Sequence, residues 1–287
     1  MSRRILSSMR KSLFVAVSIV IFNCLAATAA FARSDQAPAR QAIQESAEAS
    51  ELPQAEEKIE QILRRAVEAL GGSNYLNVRS VIGRGLFTQF KDGLPVVPAK
   101  FVDYLVYPDK ERTEFRGGGL KIIQTNVGET GWLYDGATKT LKDMKPEQVE
   151  DFKRAMRTSV ENLLRGWWRK EGAKLSYAGR REAGLARRNE TVRLTYPDGF
   201  SVEFEFGARD GLPAKVIYKR KNAEDEEVTE EDRLAQFVNI GGVTAPFIID
   251  HYRAGVQSSR INYESIEFNP SIPDSLFARP ADAKALK

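Results

Sequence analysis

The chain has 287 residues, a mass of 32.1 kDa, a formal charge of +4 and a sequence pI near 9.0, with one Cys and one His. Four of its 43 basic residues (Arg3, Arg4, Arg10 and Lys11), none of its acidic ones, and Cys24 lie in the first 32 positions, so the rest balances at 39 basic against 39 acidic side chains. The whole-chain charge is therefore no sign of an anionic partner. A disulfide framework, a Cys-based zinc site and a cysteine nucleophile are excluded beyond position 32.

Residues 1–11 are basic, residues 12–32 carry no charge, and the stretch closes on Ala30-Phe31-Ala32. That is the pattern of a secretory signal: a basic anchor, an apolar insert and a small-x-small cleavage site. An uncleaved anchor is the competing reading, disfavoured by Asn23, Thr28 and the small-residue tail. Cleavage at that site makes Arg33 the first residue of an exported, periplasmic protein. Export also removes it from nucleic acid.

Residues 33–57 are rich in Ala, Gln, Glu and Ser, and are expected to form a mobile linker. Ile59, Ile62, Leu63, Ala66, Val67 and Leu70 recur at helical spacing, and Gly71-Gly72 ends the run as a C-cap. From Val78 to Lys142 the pattern changes to short alternating stretches separated by turn residues, including Phe101–Tyr107, Leu120–Thr125 and Trp132–Tyr134. Residues 146–168 return to helical spacing, with Pro146 at the start and an apolar stripe of Val149, Phe152, Met156, Val160, Leu163, Leu164 and Trp167. Strands resume after Leu175. The clearest is Phe200–Phe206, apolar at even positions and polar at odd ones, joined through Asp198-Gly199 to a run containing Val192, Leu194 and Tyr196. Short turns between strands imply antiparallel pairing. The expectation is a mainly β (α+β) fold: a large antiparallel curved sheet of about eleven strands covered by two main helices. The domain spans 58–281, with a tail at 282–287.

Motifs that carry chemistry are scarce. No P-loop, dinucleotide fingerprint or nucleophile elbow occurs; Gly83-Arg84-Gly85 sits inside a strand. His251 lies on a predicted strand with no partner cluster in view, and reads as a half-buried structural His. Glu203 and Glu205 alternate with Phe and read as a solvated outer face. No metal and no cofactor is expected. Two charge blocks stand out: 11 basic and 4 acidic side chains over 151–188, and 7 acidic with no basic over 222–232. Within the first, Arg165, Trp167, Trp168, Arg169 and Lys170 place two indoles among cations at a helix end, the composition of an edge that meets a membrane or an amphiphile head group.

Several short stretches, in order, resemble the bacterial outer-membrane lipoprotein-sorting (LolA/LolB-like) carriers. Tyr107-Pro108-Asp109 is similar to that family's strand-ending proline turn, Gly128–Asp135 to its Gly-x-Thr-x-Trp-x-Tyr hairpin, and Ser275–Pro280 to its closing Phe-x-x-Pro. Where members often carry an Arg before the proline, this chain has Tyr107. The resemblance covers about 56–281. It implies a half-open β-barrel with an apolar cavity between sheet and helices, holding a lipid, an acylated protein or another amphiphile as cargo. Donor and acceptor would be a membrane surface or an envelope protein. A monomer is expected. The inward alternation nominates Phe101, Leu105, Trp132, Tyr134, Val202, Phe204, Phe206, Val216 and Tyr218 as cavity residues, with Phe152, Met156, Val160 and Leu163 from the second helix. Two other functions remain: an envelope sensor or interaction module with no transported ligand, acting through the convex sheet or the acidic block, and an enzyme depending on His251 or a carboxylate pair.

Overall fold

The computed structural model describes residues 38–117, 119–222 and 225–286; the export signal expected over 1–32 lies outside the described residues. Helix α1 (Pro38–Leu70) and the short α2 (Ser73–Leu76) precede β1 (Ser80–Lys91), β2 (Leu94–Pro95), β3 (Ala99–Val106), β4 (Lys110–Gly117), β5 (Leu120–Val127), β6 (Thr130–Asp135) and β7 (Thr140–Asp143). Helices α3 (Pro146–Thr158) and α4 (Val160–Arg165) follow. Then come β8 (Lys174–Glu182), β9 (Arg188–Thr195), β10 (Ser201–Gly207), β11 (Pro213–Lys221), β12 (Glu227–Ile240), β13 (Val243–Arg253) and β14 (Val256–Phe268).

All fourteen strands join one curved antiparallel sheet, in the order β7-β6-β5-β4-β3-β1-β14-β13-β12-β11-β10-β9-β8, with β2 paired to β1 off that path. Strands β7 and β8 are the free ends, so the barrel stays open. Eleven strands were expected. The additional ones include the two-residue β2, the four-residue β7 and the charge-rich β4, Lys-Glu-Arg-Thr-Glu-Phe-Arg-Gly. Charge hides β4 from a hydrophobicity pattern, yet each face has a use for it. Arg112 bonds Glu114 at 2.7 Å on one face, while Glu111 and Thr113 occupy the other.

Alternation sets the faces elsewhere. Val202, Phe204 and Phe206 of β10 are 0–1% exposed, and lie opposite Leu194, Val192 and Glu190 of β9. Glu203 and Glu205 take the outer face, but not as free solvated groups: Glu203 bonds Arg193 and Arg181, while the buried Glu205 accepts from Asn189 at 2.8 Å and from Arg181 at 3.2 Å. The register between β1 and β14 shifts between Arg84 and Gly85. A Cβ at Gly85 would stand 2.1 Å from the Asn262 carbonyl oxygen, and one at Gly83 would stand 2.6 Å from the Tyr263 ring. The two glycines that flank Arg84 thus let the bulge form and the ring lie flat on the sheet.

Helix α1 buries Ile59, Ile62, Ala66 and Leu70 against Val192, Leu194, Val202, Phe204, Phe206 and Val216. Each of the Ile, Leu, Val and Phe side chains among them contributes about 1.5–3 kcal/mol on burial. The helix is tied down by Lys58–Glu190 at 3.2 Å and by Arg65 Nη2 donating to the carbonyls of Ala208 and Arg209. It begins at Pro38, so residues 38–57 are helical where a linker was expected. Ala, Glu and Gln are strong helix formers, and low hydrophobicity does not stop them from extending a helix already nucleated by packing. Gly71 ends α1 with φ 120°, and a Cβ there would collide with the Gly242 carbonyl oxygen in the β12–β13 turn. The expected second helix is broken into α3 and α4 at Ser159, whose backbone is extended and whose Oγ accepts from the Asn162 amide at 3.1 Å. A serine that caps a new helix ends the previous one.

A second, smaller core lies on the opposite face of β4–β6. Ile123, Trp132 and Tyr134 pack there with Leu141, Ala283 and Leu286. The C-terminal stretch covers them: Trp132 Nε1 donates to the Phe277 carbonyl at 3.0 Å and Arg112 Nη1 to that of Leu276 at 2.8 Å.

Candidate ligand cavity

Helix α1 and α4 fill the concave face over β8–β11 and leave it open over β1, β3 and β11–β14. The open part is a cavity of about 1070 Å³. Its walls are largely apolar, with Val81, Leu105, Val160, Val216, Leu234, Ile249 and Ile261 among them.

The residues expected to line such a cavity separate into groups. Leu105, Val160, Val216 and Tyr218 are in its wall. Val202, Phe204, Phe206 and Leu163 belong to the packed core beneath α1. Phe101 is buried on the concave face, where its ring meets Tyr263 at 5.5 Å and Phe115 at 6.5 Å. Trp132 and Tyr134 are on the opposite face, because their strand pairs Trp132 with Thr125 and Thr125 with Arg112, all facing away from Asp103 and Glu111. Helix α3 turns Asp151, Arg154, Ala155 and Thr158 to the cavity, rather than the buried Phe152 and half-buried Met156.

The polar groups in the wall form two sets. At one end, Asp103 of β3 and Glu111 of β4 sit on one face one step apart diagonally, since Asp103 pairs with Thr113 and Leu105 with Glu111. Asp103 accepts from Thr113 Oγ1 at 2.7 Å. Burial raises its pKa, only partly offset by that bond. Burial and the neighbouring Asp103 together push Glu111 up as well. Glu161 of α4 is raised by burial despite its own backbone bond and Arg165. Tyr75, Tyr107 and Tyr263 stand in the same wall.

At the other end, Glu230 lies between Arg220 (2.6 Å) and Arg253 (2.8 Å), and Asp232 bonds His251 Nδ1. Burial disfavours a charged His251, but Asp232, Glu230 and Asp250 outweigh it and its pKa is raised. Asp103 pairs with Gly83, and His251 with Ser259, which pairs with Gln89. The two sets are therefore six residues, or roughly 20 Å, apart along β1.

The expected head-group edge is mostly turned inward. Arg165 donates to the carbonyls of Val78 (2.8 Å), Leu76 (3.1 Å) and Tyr75 (2.8 Å), and lies over the rings of Tyr107, Tyr75 and Trp167 at 4.9–5.6 Å. Trp168 is buried and donates to the Leu163 carbonyl at 3.1 Å. Arg169 and Lys170 are exposed and Trp167 half-buried. The charge blocks also dissolve in three dimensions. Arg157 meets Glu171 and Asp198 at 2.6 Å, and Arg181 meets Glu203 at 2.6 Å. In the acidic stretch Asp225 pairs with Lys221, Glu227 with Lys219, and Glu231 with Lys215 and Arg233. Strand register brings together opposite charges that the sequence keeps in separate windows.

Asp103 was readable in part. It occupies the inward position between Phe101 and Leu105 of an otherwise apolar run, where a carboxylate breaks the pattern. Glu111 had no such signal, because its strand was not recognised.

No protein-family model matches the chain, and no curated protein matches it in sequence. Solved structures do. An outer-membrane lipoprotein-sorting protein domain from Vibrio parahaemolyticus shares 10% identity over 75% of this chain and 95% of its own, with a TM-score of 0.49. A LolA superfamily protein, NE2245 from Nitrosomonas europaea, shares 12% over 74% and 97%, also at 0.49. A DUF1329 family protein from Desulfovibrio piger shares 12% identity over 79% of this chain and 98% of its own, with a TM-score of 0.54, and the likeness of this chain to it is one of fold.

Proposed function

We propose that this chain is an exported periplasmic binder or carrier of an amphiphile, whose apolar chain occupies the concave cavity. One observation carries the reading: a large sheet leaves about 1070 Å³ of mostly apolar concave face uncovered by its own helices. That is the upper end of the size of small-molecule sites. Apolar surface left facing water is costly, and each methylene placed there contributes about 0.8 kcal/mol. Leu105, Val160, Val216 and Tyr218 are the ligand contacts from the original set. Trp167, Arg169 and Lys170 remain as the edge that would meet a membrane or the donor of the cargo.

The test is to export the chain with its signal, purify residues 33–287 without detergent, and extract for lipid by mass spectrometry. Leu105→Trp and Ile249→Trp, which fill the cavity, are expected to abolish co-purified lipid and binding of a fluorescent fatty-acid probe. Trp132→Phe, on the opposite face, should leave both intact. Absence of lipid together with failure of the wild type to bind the probe would reject the carrier reading. Binding of an envelope protein by the same empty wild type would support an interaction module instead.

A further inference from the structure

We propose that the Asp103–Glu111 end of the cavity receives a cationic nitrogen, so that the ligand is an amphiphile with an amine or ammonium head group. The inference rests on the reading of the cavity as a ligand site and names the head group it selects.

The acidic residues buried in this protein are Asp103, Glu190, Glu205 and Glu230 among the described residues. Three of them have a cation: Glu190 has Arg180 and Lys58, Glu205 has Arg181, and Glu230 has Arg220 and Arg253. Asp103 has only the Thr113 hydroxyl. Its neighbours Glu111 and Glu161 form no ion pair among the described residues either, and all three line the cavity. Burying a carboxylate without a cation costs several kcal/mol, and this sheet elsewhere avoids that cost each time.

Arg165 is the guanidinium at this end: its Nη atoms are committed to the carbonyls of Tyr75, Leu76 and Val78, its Nε has no hydrogen-bond partner, and its charge acts on Glu161 and Tyr75, leaving Asp103 and Glu111 without a cation. An independent sign of a missing partner comes from Tyr75. It is 5% exposed and lines the same cavity, and its hydroxyl has no partner in good hydrogen-bond geometry, the Arg165 guanidinium beside it only partly offsetting its burial. A hydroxyl and two or three carboxyls facing one space match an ammonium group, which brings several donors and one positive charge. A metal ion is a poorer match, since no three carboxylate or imidazole groups converge as ligands among the described residues. The far end, with Arg220, Glu230, Arg253 and the His251–Asp232 pair, is already compensated within the protein.

Burial raises Asp103 to about 6, and burial with repulsion from Asp103 raises Glu111 to about 8 against the Asn126 hydrogen bond, so near neutral pH the proton is held chiefly by Glu111; Tyr263, Tyr107, Tyr75, Glu161 and Arg165 are the other titratable groups around them. An ammonium arriving between them stabilises the charged carboxylates, so its binding releases protons to solvent.

The experiment compares three ligands with the same twelve-carbon chain: dodecylamine, dodecanol and dodecanoate, each below its micellar concentration. They compete with the neutral probe N-phenyl-1-naphthylamine on residues 33–287 near neutral pH. Dodecylamine is expected to displace the probe at about tenfold lower concentration than dodecanol, a difference of about 1.4 kcal/mol. Calorimetry in buffers of different ionisation enthalpy should register proton release with the amine alone. The double variant Asp103→Asn/Glu111→Gln should lose the amine preference and keep its response to dodecanol, which also reports that it is folded. Equal displacement by all three, a preference for dodecanoate, or an amine preference that survives in the double variant would overturn the head-group assignment while leaving the cavity as a binding site. Failure of all three to displace a bound probe, or of the probe to bind, would overturn both.

Discussion

Replacing Arg165 by Met tests the account of how α4 is held against the segment between α1 and β1. The side chain leaves α4 and donates three hydrogen bonds to the carbonyls of Tyr75, Leu76 and Val78, which lie between α1 and the sheet. The bonds to Tyr75 and Val78 are part-buried at 2.8 Å, and each such charge-assisted bond is worth about 1.5 kcal/mol at the low end. The bond to Leu76 is exposed and contributes little. The rings of Tyr107, Tyr75 and Trp167 at 4.9–5.6 Å add about 0.5 kcal/mol each. Methionine recovers some packing but offers the carbonyls nothing. The expected loss is about 3–4 kcal/mol, which for a domain of this size lowers Tm by roughly 10 °C. Arg165→Lys should lose about half as much, because one ammonium cannot serve carbonyls that a planar guanidinium reaches together. Urea unfolding followed by circular dichroism measures both. A loss below about 1 kcal/mol in Arg165→Met would show that the residue is peripheral, as the sequence had suggested.

Stability of the empty protein should fall as pH is raised from about 5 to about 9. Above their ordinary values the native Asp103 and Glu111 retain protons that the unfolded chain releases, so unfolding is favoured by rising pH. The raised pKa of His251 acts in the same direction: its contribution is full below the unfolded value and is lost as pH rises through the folded one. Glu111→Gln should flatten the profile, and an unchanged slope in thermal melts would contradict the assignment. Glu190, held down to about 2 by Arg180, Tyr177 and Lys58 in spite of burial, acts oppositely: its contribution is present above the ordinary carboxylate value and is lost as pH falls through the folded one. Gly85→Val should fail to fold or lose several kcal/mol, because its Cβ would stand 2.1 Å from the Asn262 oxygen; soluble expression with wild-type Tm would refute the bulge. Ser159→Ala should cost about 1 kcal/mol through loss of the α4 cap, read by urea unfolding.

The class of fold was legible because it rests on local rules. Alternation in Phe200–Phe206, helical spacing from Ile59 to Leu70, and Gly71-Gly72 at the helix end each report the periodicity of a single element. They sufficed for one antiparallel sheet with helices on one face. They did not reveal β4, whose apolar content is too low, or the break at Ser159, where apolar spacing continues across a cap. Composition alone suggested a linker over 33–57, of which the described residues 38–57 are helical.

What the sequence determined by itself is which residues share a face within the elements it revealed and where α1 ends at Gly71-Gly72, since period and capping are properties of neighbours along the chain. Only the tertiary structure decided which face is the cavity and which is sealed by the C-terminal stretch, and this sends Trp132 and Tyr134 away from Leu105. It also decided that opposite charges far apart in sequence cancel, that Arg165 is spent on backbone carbonyls, and that Asp103 and Glu111 stand together without a cation. Those outcomes depend on strand register and on which element covers which face, and a period of two residues is the same whichever way the sheet curls.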